Sequence, residues 1–249
     1  MTWSNKENPM LKWLRQFAQR LAVRMWRRSS RDLLRPWGRD GMPNIYLHVN
    51  TLEPSMQKSL EFLAIVLQLI VDNRKDIQQI YPYLKANQQR LNDTLLEAIS
   101  IAAPSWFNGD KNQQKLVAAM FGGFGNLIAQ FPLGNREINL ELAITAYQQA
   151  LQVFTREAFP KQWAAMQNDL ANAYSQRIRG ERAENLEQAL AAFQLVLQVD
   201  TREAFPVDWA MTQHNLANAY RDRIRRASGR RTWNRPSPPA GWRCRSILG

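Results

Sequence analysis

The sequence predicts an all-α protein: a helical N-terminal region followed by stacked helix pairs that form an α-solenoid. The segment Thr-Arg-Glu-Ala-Phe-Pro stands at residues 155–160 and again at 201–206. The same offset of 46 residues relates Leu-Ala-Asn-Ala-Tyr at 170–174 to its copy at 216–220. A fixed period of this size is typical of repeat proteins whose units stack on one another.

Residues 1–44 are predicted to be a basic amphipathic helix, over about 1–28, and a linker. The apolar side chains recur every three or four residues, which places them on one face, and Lys and Arg lie mostly elsewhere. Such a helix suits a membrane surface. The alternative is a helix packed on its own protein with solvated charges outside. The apolar face comprises Met10, Leu14, Phe17, Leu21 and Met25.

Residues 45–110 are predicted to be a helical N-terminal region. Its most apolar run, 62–71, has about half of the ~20 residues that a spanning helix needs, so it indicates a buried core helix. Pro104 and the Asn-Gly pair at 108–109 predict a loop before the next helix.

Residues 111–225 are predicted to hold the repeats, each a helix, a turn and a helix. Pro160 and Pro206 are expected in first helical turns, where a missing N–H costs nothing. The phenylalanine before each proline is expected to be a buried anchor. Asn185 is predicted to be an N-cap, because Gln188 follows at the spacing of a capping box.

Two motifs match the tetratricopeptide pattern, which has Leu-Gly-x-x-Tyr on its first helix and Ala-x-x-x-Phe on its second. They are Leu170-Ala171-x-x-Tyr174 and Ala189-x-x-x-Phe193. A degenerate first helix is assigned to Leu127-Ile128-x-x-Phe131, and glycines 122, 123 and 125 are expected to weaken it.

Over about residues 81–225 the chain resembles the long-period tetratricopeptide (TPR) proteins abundant in cyanobacteria. The extra residues of the long period fall at 179–184 and 201–206. The resemblance implies stacked TPR helix pairs that bind other proteins. Some members end in a caspase-like (CHAT) protease domain. The positions expected to be structural are Phe159, Pro160, Leu170, Tyr174, Ala189, Phe193, Phe205, Pro206, Leu216 and Tyr220.

The resemblance also implies a peptide-binding groove along the first helix of each pair. Amide side chains there can donate to and accept from an extended peptide backbone. The alternative is a plain solvated face. The predicted groove residues are Asn168, Asn172 and Ser175, and their equivalents one repeat later, His214, Asn218 and Arg221.

The net charge of +12 is concentrated at the two ends of the chain. Residues 1–40 have a net charge of +7, residues 221–249 have +8, and the body between them has −3. A nucleic-acid footprint belongs on the folded surface. No nucleic-acid partner is therefore expected.

The residues that usually carry chemistry are scarce. There are two histidines and one cysteine, and neither histidine stands near other ligands at metal-binding spacing. A single thiol indicates a reducing compartment, and Lys12 and Arg15 interrupt any secretory signal, so a cytoplasmic location is expected. We therefore expect that the chain is not an enzyme and that it binds no cofactor.

Residues 226–249 are predicted to be a disordered tail translated out of frame. With suitable codons, the next frame encodes Gly-Glu-Arg-Ala-Glu-Asn-Leu-Glu-Gln-Ala-Ile-Ala-Ala, which matches residues 180–192 at twelve of thirteen positions. The coding DNA after the Arg225 codon decides this. The last repeat would then lack its second helix, and we expect self-association through that uncapped end.

The function expected from these observations is a non-catalytic scaffold for protein–protein interaction with an unidentified protein or peptide. Two alternatives stay open. One is the truncated sensor or regulatory part of a CHAT-protease-type system. The other is a membrane-surface adaptor that uses the basic N-terminal helix.

Overall fold

A computed structural model describes residues 52–72, 77–107 and 109–229. In these ranges the regular structure is helical throughout, which confirms the predicted all-α class. Two short 3₁₀ turns, Ile77–Ile80 and Gln88–Arg90, flank the helix Tyr81–Ala86. The α-helices of the described ranges are α1 Pro54–Asp72, α2 Tyr81–Ala86, α3 Asp93–Trp106, α4 Lys111–Gln130, α5 Arg136–Leu151, α6 Pro160–Gln176, α7 Arg182–Val196 and α8 Pro206–Gly229.

The N-terminal helices share one core with the first helix pair. Helix α1 packs on α3 and α4, and α3 packs on α5. Leu63 and Val66 of α1 are fully buried against this core, as are Leu95 of α3 and Phe121 of α4. The prediction that the apolar run at 62–71 is a core helix is confirmed. No helix of the described ranges is long and apolar enough to cross a membrane.

Successive helices from α4 onward pack as neighbours, and alternate helices form layers. Helix α4 packs on α5, α5 on α6, α6 on α7, and α7 on α8. In addition α4 touches α6 and α6 touches α8. Helices α4, α6 and α8 therefore form one layer, called the inner layer below, and α5 and α7 lie on the other side.

The 46-residue offset relates the boundaries of the helices as well as the identities of their residues. The prediction that Pro160 and Pro206 begin helices is confirmed, because each is the first residue of its helix. The same offset separates other equivalent boundaries: α4 ends at Gln130 and α6 at Gln176, and α5 begins at Arg136 and α7 at Arg182.

The repeated Thr-Arg-Glu-Ala-Phe segments form the same turn twice. The Thr155 hydroxyl oxygen accepts from the Ala158 N–H at 3.2 Å, and Thr201 accepts from Ala204 at 3.1 Å. The Thr155 carbonyl also accepts a hydrogen bond from the N–H of Phe159 at 2.9 Å, and the Thr201 carbonyl accepts one from Phe205 at the same distance. Threonine is therefore the residue that closes this turn.

The predicted N-cap at Asn185 is wrong. Helix α7 begins at Arg182, and Asn185 lies inside it with its side chain buried. The Asn185 amide donates to the Arg179 carbonyl at 2.7 Å, so it braces the preceding loop. A capping box does occur in which Asp110 caps α4 and Gln113 reaches back.

Two further predictions about helix ends and register are wrong. Helix α3 continues through Pro104 to Trp106, so the loop before α4 is shorter than predicted. The first-helix motif assigned to 127–131 is displaced by three residues, because the structural equivalent of Ala171 is Gly125. Ala171 packs in one cluster with Phe193, and Gly125 lies against the equivalent Tyr147.

The expectation that glycines 122, 123 and 125 weaken α4 stays a prediction. Helix α4 is continuous, and its glycines admit close neighbours. A Cβ on Gly125 would lie 2.6 Å from Cε1 of Tyr147, and one on Gly122 would lie 2.7 Å from Sδ of Met166. The absence of a side chain at these positions lets the helices approach.

Candidate protein-binding surface

Three asparagines stand in register on the inner layer. Asn126 of α4, Asn172 of α6 and Asn218 of α8 are separated by one repeat each, and all three side chains are half-buried. The sequence predictions included the second and third of these residues. The first was missed because the register assigned to α4 was displaced.

Asn126 is held within the fold. Its Oδ1 accepts a hydrogen bond from the Tyr147 hydroxyl at 2.7 Å, and its side chain also hydrogen-bonds Asp169. Burial raises the pKa of Asp169 to about 6, against the lowering effect of that hydrogen bond. Burial, together with the nearby Asp169, raises the pKa of Tyr147.

Asn172 lacks this arrangement. The positions of Tyr147 and Asp169 are taken one repeat later by Phe193 and Asn215. Phe193 has no hydroxyl to donate, and the Asn215 amide donates instead to Asn168 Oδ1 at 3.3 Å. Within the described ranges, the Asn172 side chain receives no hydrogen bond from a neighbouring helix.

The structure places the other predicted groove residues along α6 and α8. Asn168 is half-buried and joins the two helices through its bond from Asn215. The Ser175 hydroxyl donates to the Asn172 carbonyl at 2.8 Å, within its own helix. On α8, His214 and Arg221 are exposed. The predicted groove residues therefore all lie on the last two helices of the inner layer.

The predicted structural positions differ in burial. Leu170, Ala189 and Phe193 are buried, whereas Tyr174 and Leu216 are half-buried and Tyr220 is 36% exposed. Phe159 and Phe205 are half-buried, and Pro160 and Pro206 are exposed. A lysine ammonium lies 5.5 Å from the ring centre of Phe159, and another lies 5.1 Å from that of Phe205. The phenylalanines of the turns are therefore not fully buried anchors.

Ion pairs between repeats are a feature that the single motifs do not predict. Arg177 binds Glu141 on α5, and Arg223 binds Glu187 on α7 one repeat later. Arg179 in the loop after α6 also binds Glu137 on α5. The recurrence of both Glu and Arg at the 46-residue offset is the signal that could have found the first two pairs.

No group of three or more His, Cys, Asp or Glu in the described part of the chain could hold a metal ion. The predicted basic helix and linker at 1–44 lie outside the described residues. So does the tail from 230 onward, whereas α8 includes residues 226–229, the first four assigned to that tail.

No protein-family model matches the chain, and no curated protein or solved structure matches it. Its fold defines it as an all-helical protein of stacked helices.

Proposed function

We propose that this protein is a non-catalytic scaffold of the TPR class that binds an extended peptide segment of another protein along its inner layer. The observation that carries the proposal is the side-chain amide of Asn172. It stands half-buried in the inner layer, one repeat from Asn218, and no described neighbouring helix hydrogen-bonds to it.

The chemistry of this surface favours a peptide backbone. An amide side chain offers two N–H donors and an acceptor, which match the alternating C=O and N–H groups of an extended chain. Arg221, exposed at the end of the same surface, can pair with a carboxylate of the ligand. Repeat scaffolds present such rows of side chains on stacked helices.

A selection experiment tests the proposal. A displayed library of linear peptides is selected on the full chain, and binding of the selected peptides is then measured with the double variant Asn172→Ala, Asn218→Ala. We expect about tenfold weaker binding, equivalent to roughly 1.4 kcal/mol. Gln188→Ala, an exposed amide on α7, is the matched control and should leave the Kd unchanged. Equal affinities for the double variant and the control would reject the inner layer as the binding surface.

A further inference from the structure

The face of α6 that α7 covers shows how one repeat receives the next. Ala171 is fully buried there and belongs to one apolar cluster with Ala189 and Phe193 of α7. Tyr174 packs at the edge of the same cluster. The small side chain of Ala171 lets the two helices approach closely, and Phe193 fills the space beside it.

Helix α8 carries the same residues with no helix over them in the described structure. Leu170, Ala171 and Tyr174 recur as Leu216, Ala217 and Tyr220. Leu216 packs back against the α7 cluster, as expected for its register. Ala217, however, is exposed where Ala171 is fully buried. We call the surface formed by Ala217 and Tyr220 the open face of α8.

The polar contacts repeat in the same way. Arg177 reaches back to Glu141 on α5 at 2.7 Å and forward to Oδ1 of Asn185 on α7 at 3.4 Å. Arg223 makes the backward contact to Glu187 at 2.7 Å. A helix that carried an asparagine in the place of Asn185 would accept the forward contact from Arg223.

We propose that the open face of α8 is a docking site for an amphipathic helix with the side-chain pattern of α7, supplied by another polypeptide. The pattern is Asn-Leu-x-x-Ala-Leu-x-x-Phe, as at residues 185–193. The occupant is identified by continuity with an interface already present, because α7 packs on Ala171 and Tyr174 of α6, the equivalents of the two residues of the open face. Residues 230–249 of the chain do not carry this pattern, and three prolines interrupt them.

This site is separate from the inner layer. Ala217 is exposed, whereas its neighbour Asn218 is half-buried in the row that includes Asn172. Tyr220 stands at the edge of the open face: it is 36% exposed, and its hydroxyl accepts a hydrogen bond from the Gln194 amide of α7 at 3.1 Å. The helix site can therefore fail while the inner-layer site succeeds, and the reverse.

The probe is a synthetic peptide of residues 180–200 of this chain, labelled at one end and titrated with the full protein. We expect saturable binding that becomes at least about tenfold weaker with Ala217→Arg. A peptide carrying Phe193→Ala should lose binding similarly, because Phe193 is the largest fully buried side chain of the pattern. The matched control is Met211→Arg, which places the same charge at a 57% exposed position on another side of α8 and should bind normally.

Three outcomes would overturn the proposal. The first is a peptide that does not saturate the protein at millimolar concentration, and the second is an Ala217→Arg variant that binds the peptide as well as the unaltered chain does. The third is a concentration-dependent dimer, measured by sedimentation, that Ala217→Arg abolishes while the peptide does not bind. That result would assign the open face to a second copy of the chain. Since position 217 is exposed, the variant is expected to keep the helix content of the unaltered protein, which circular dichroism checks.

Discussion

Arg177 binds Glu141 through two hydrogen bonds, from Nε to Oε1 at 2.7 Å and from Nη2 to Oε2 at 2.9 Å. The Glu141 side chain is only 9% exposed, and the pair joins α5 to the end of α6. The hydrogen bond to Glu141 raises the pKa of Arg177, so the guanidinium stays charged. Its equivalent, Arg223 with Glu187, has the same 2.7 Å contact at the surface.

The two ion pairs differ in burial, so their removal should lower the unfolding free energy by different amounts. Glu141→Ala leaves the Arg177 guanidinium without its partner in a half-buried place, and we expect a loss of about 2–3 kcal/mol in unfolding free energy. Glu187→Ala removes an exposed pair, whose side chains are 54% and 52% exposed, and should cost about 0–1 kcal/mol. Urea denaturation of both variants measures the difference. Equal costs would show that the burial of the first pair is energetically unimportant.

Asp169→Asn is expected to stabilise the protein at neutral pH. Because burial raises the folded-state pKa of Asp169 to about 6 from an unfolded value near 4, the folded state favours the protonated carboxyl. The contribution of Asp169 to the stability of the fold is complete below about pH 4 and is lost as the pH rises through about 6. The asparagine keeps a neutral acceptor for Asn126 at every pH. The gain at pH 7 should be on the order of 2 kcal/mol.

Thermal unfolding between pH 4 and 7.5 tests this sign. The difference in Tm between Asp169→Asn and the unaltered chain should grow as the pH rises. Glu157→Gln, at an exposed position in the turn before α6, should change the profile little. A constant difference across the pH range would mean that Asp169 ionises normally in the fold.

Gly180→Ala should destabilise the protein through its backbone alone. Gly134 and Gly180 are equivalent loop positions with φ of 78° and 75°, a region that side chains with a Cβ rarely adopt. The space itself is open, since a Cβ on Gly180 would come no closer than 3.9 Å to Asn185 Oδ1. We expect a loss of about 1–2 kcal/mol in unfolding free energy for either Gly→Ala variant. Gly180→Asn should lose less, because asparagine tolerates positive φ, and an equal loss for the two substitutions would point to a steric cause.

Phe193→Tyr is expected to place a hydroxyl beside Asn172, as Tyr147 does beside Asn126. The stability change should be below about 1.5 kcal/mol, because the new hydroxyl finds an acceptor. The same bond would occupy Asn172, so peptides selected on the inner layer should bind about tenfold more weakly. Titration of those peptides measures this effect, and Gln188→Ala, exposed on α7, is the control in the same assay. An unchanged Kd for Phe193→Tyr would remove Asn172 from the peptide-binding surface.

The sequence predicted the fold class and most of the helix order because periodicity carries that information. Identical segments such as Phe159-Pro160 and Phe205-Pro206 locate equivalent turns without any knowledge of tertiary contacts. The error at Asn185 has a physical source. Asparagine caps helices well, but its amide can equally brace a loop carbonyl, and only the position of the Arg179 carbonyl decides between the two.

The candidate surface was harder to predict. Asn126, Tyr147 and Asp169 come from three different helices, and no spacing in the sequence shows that they meet. The displaced register of α4 followed from a preference for Leu at the motif position. The structure places Phe124-Gly125 there, and the close approach of the Tyr147 ring explains the glycine. Burial of a carboxylate such as Asp169 depends on packing and cannot be inferred from its neighbours in sequence.

The matching turns at Thr155 and Thr201 have a consequence for how such a chain can lengthen. The two junctions are alike in sequence and in hydrogen bonding, so they are interchangeable as points of connection. A second copy of residues 160–205 inserted after Phe205 would enter and leave through native geometry at both ends. We expect the longer protein to fold with unchanged helix content per residue by circular dichroism. Growth by whole units would thus require no new junction to evolve.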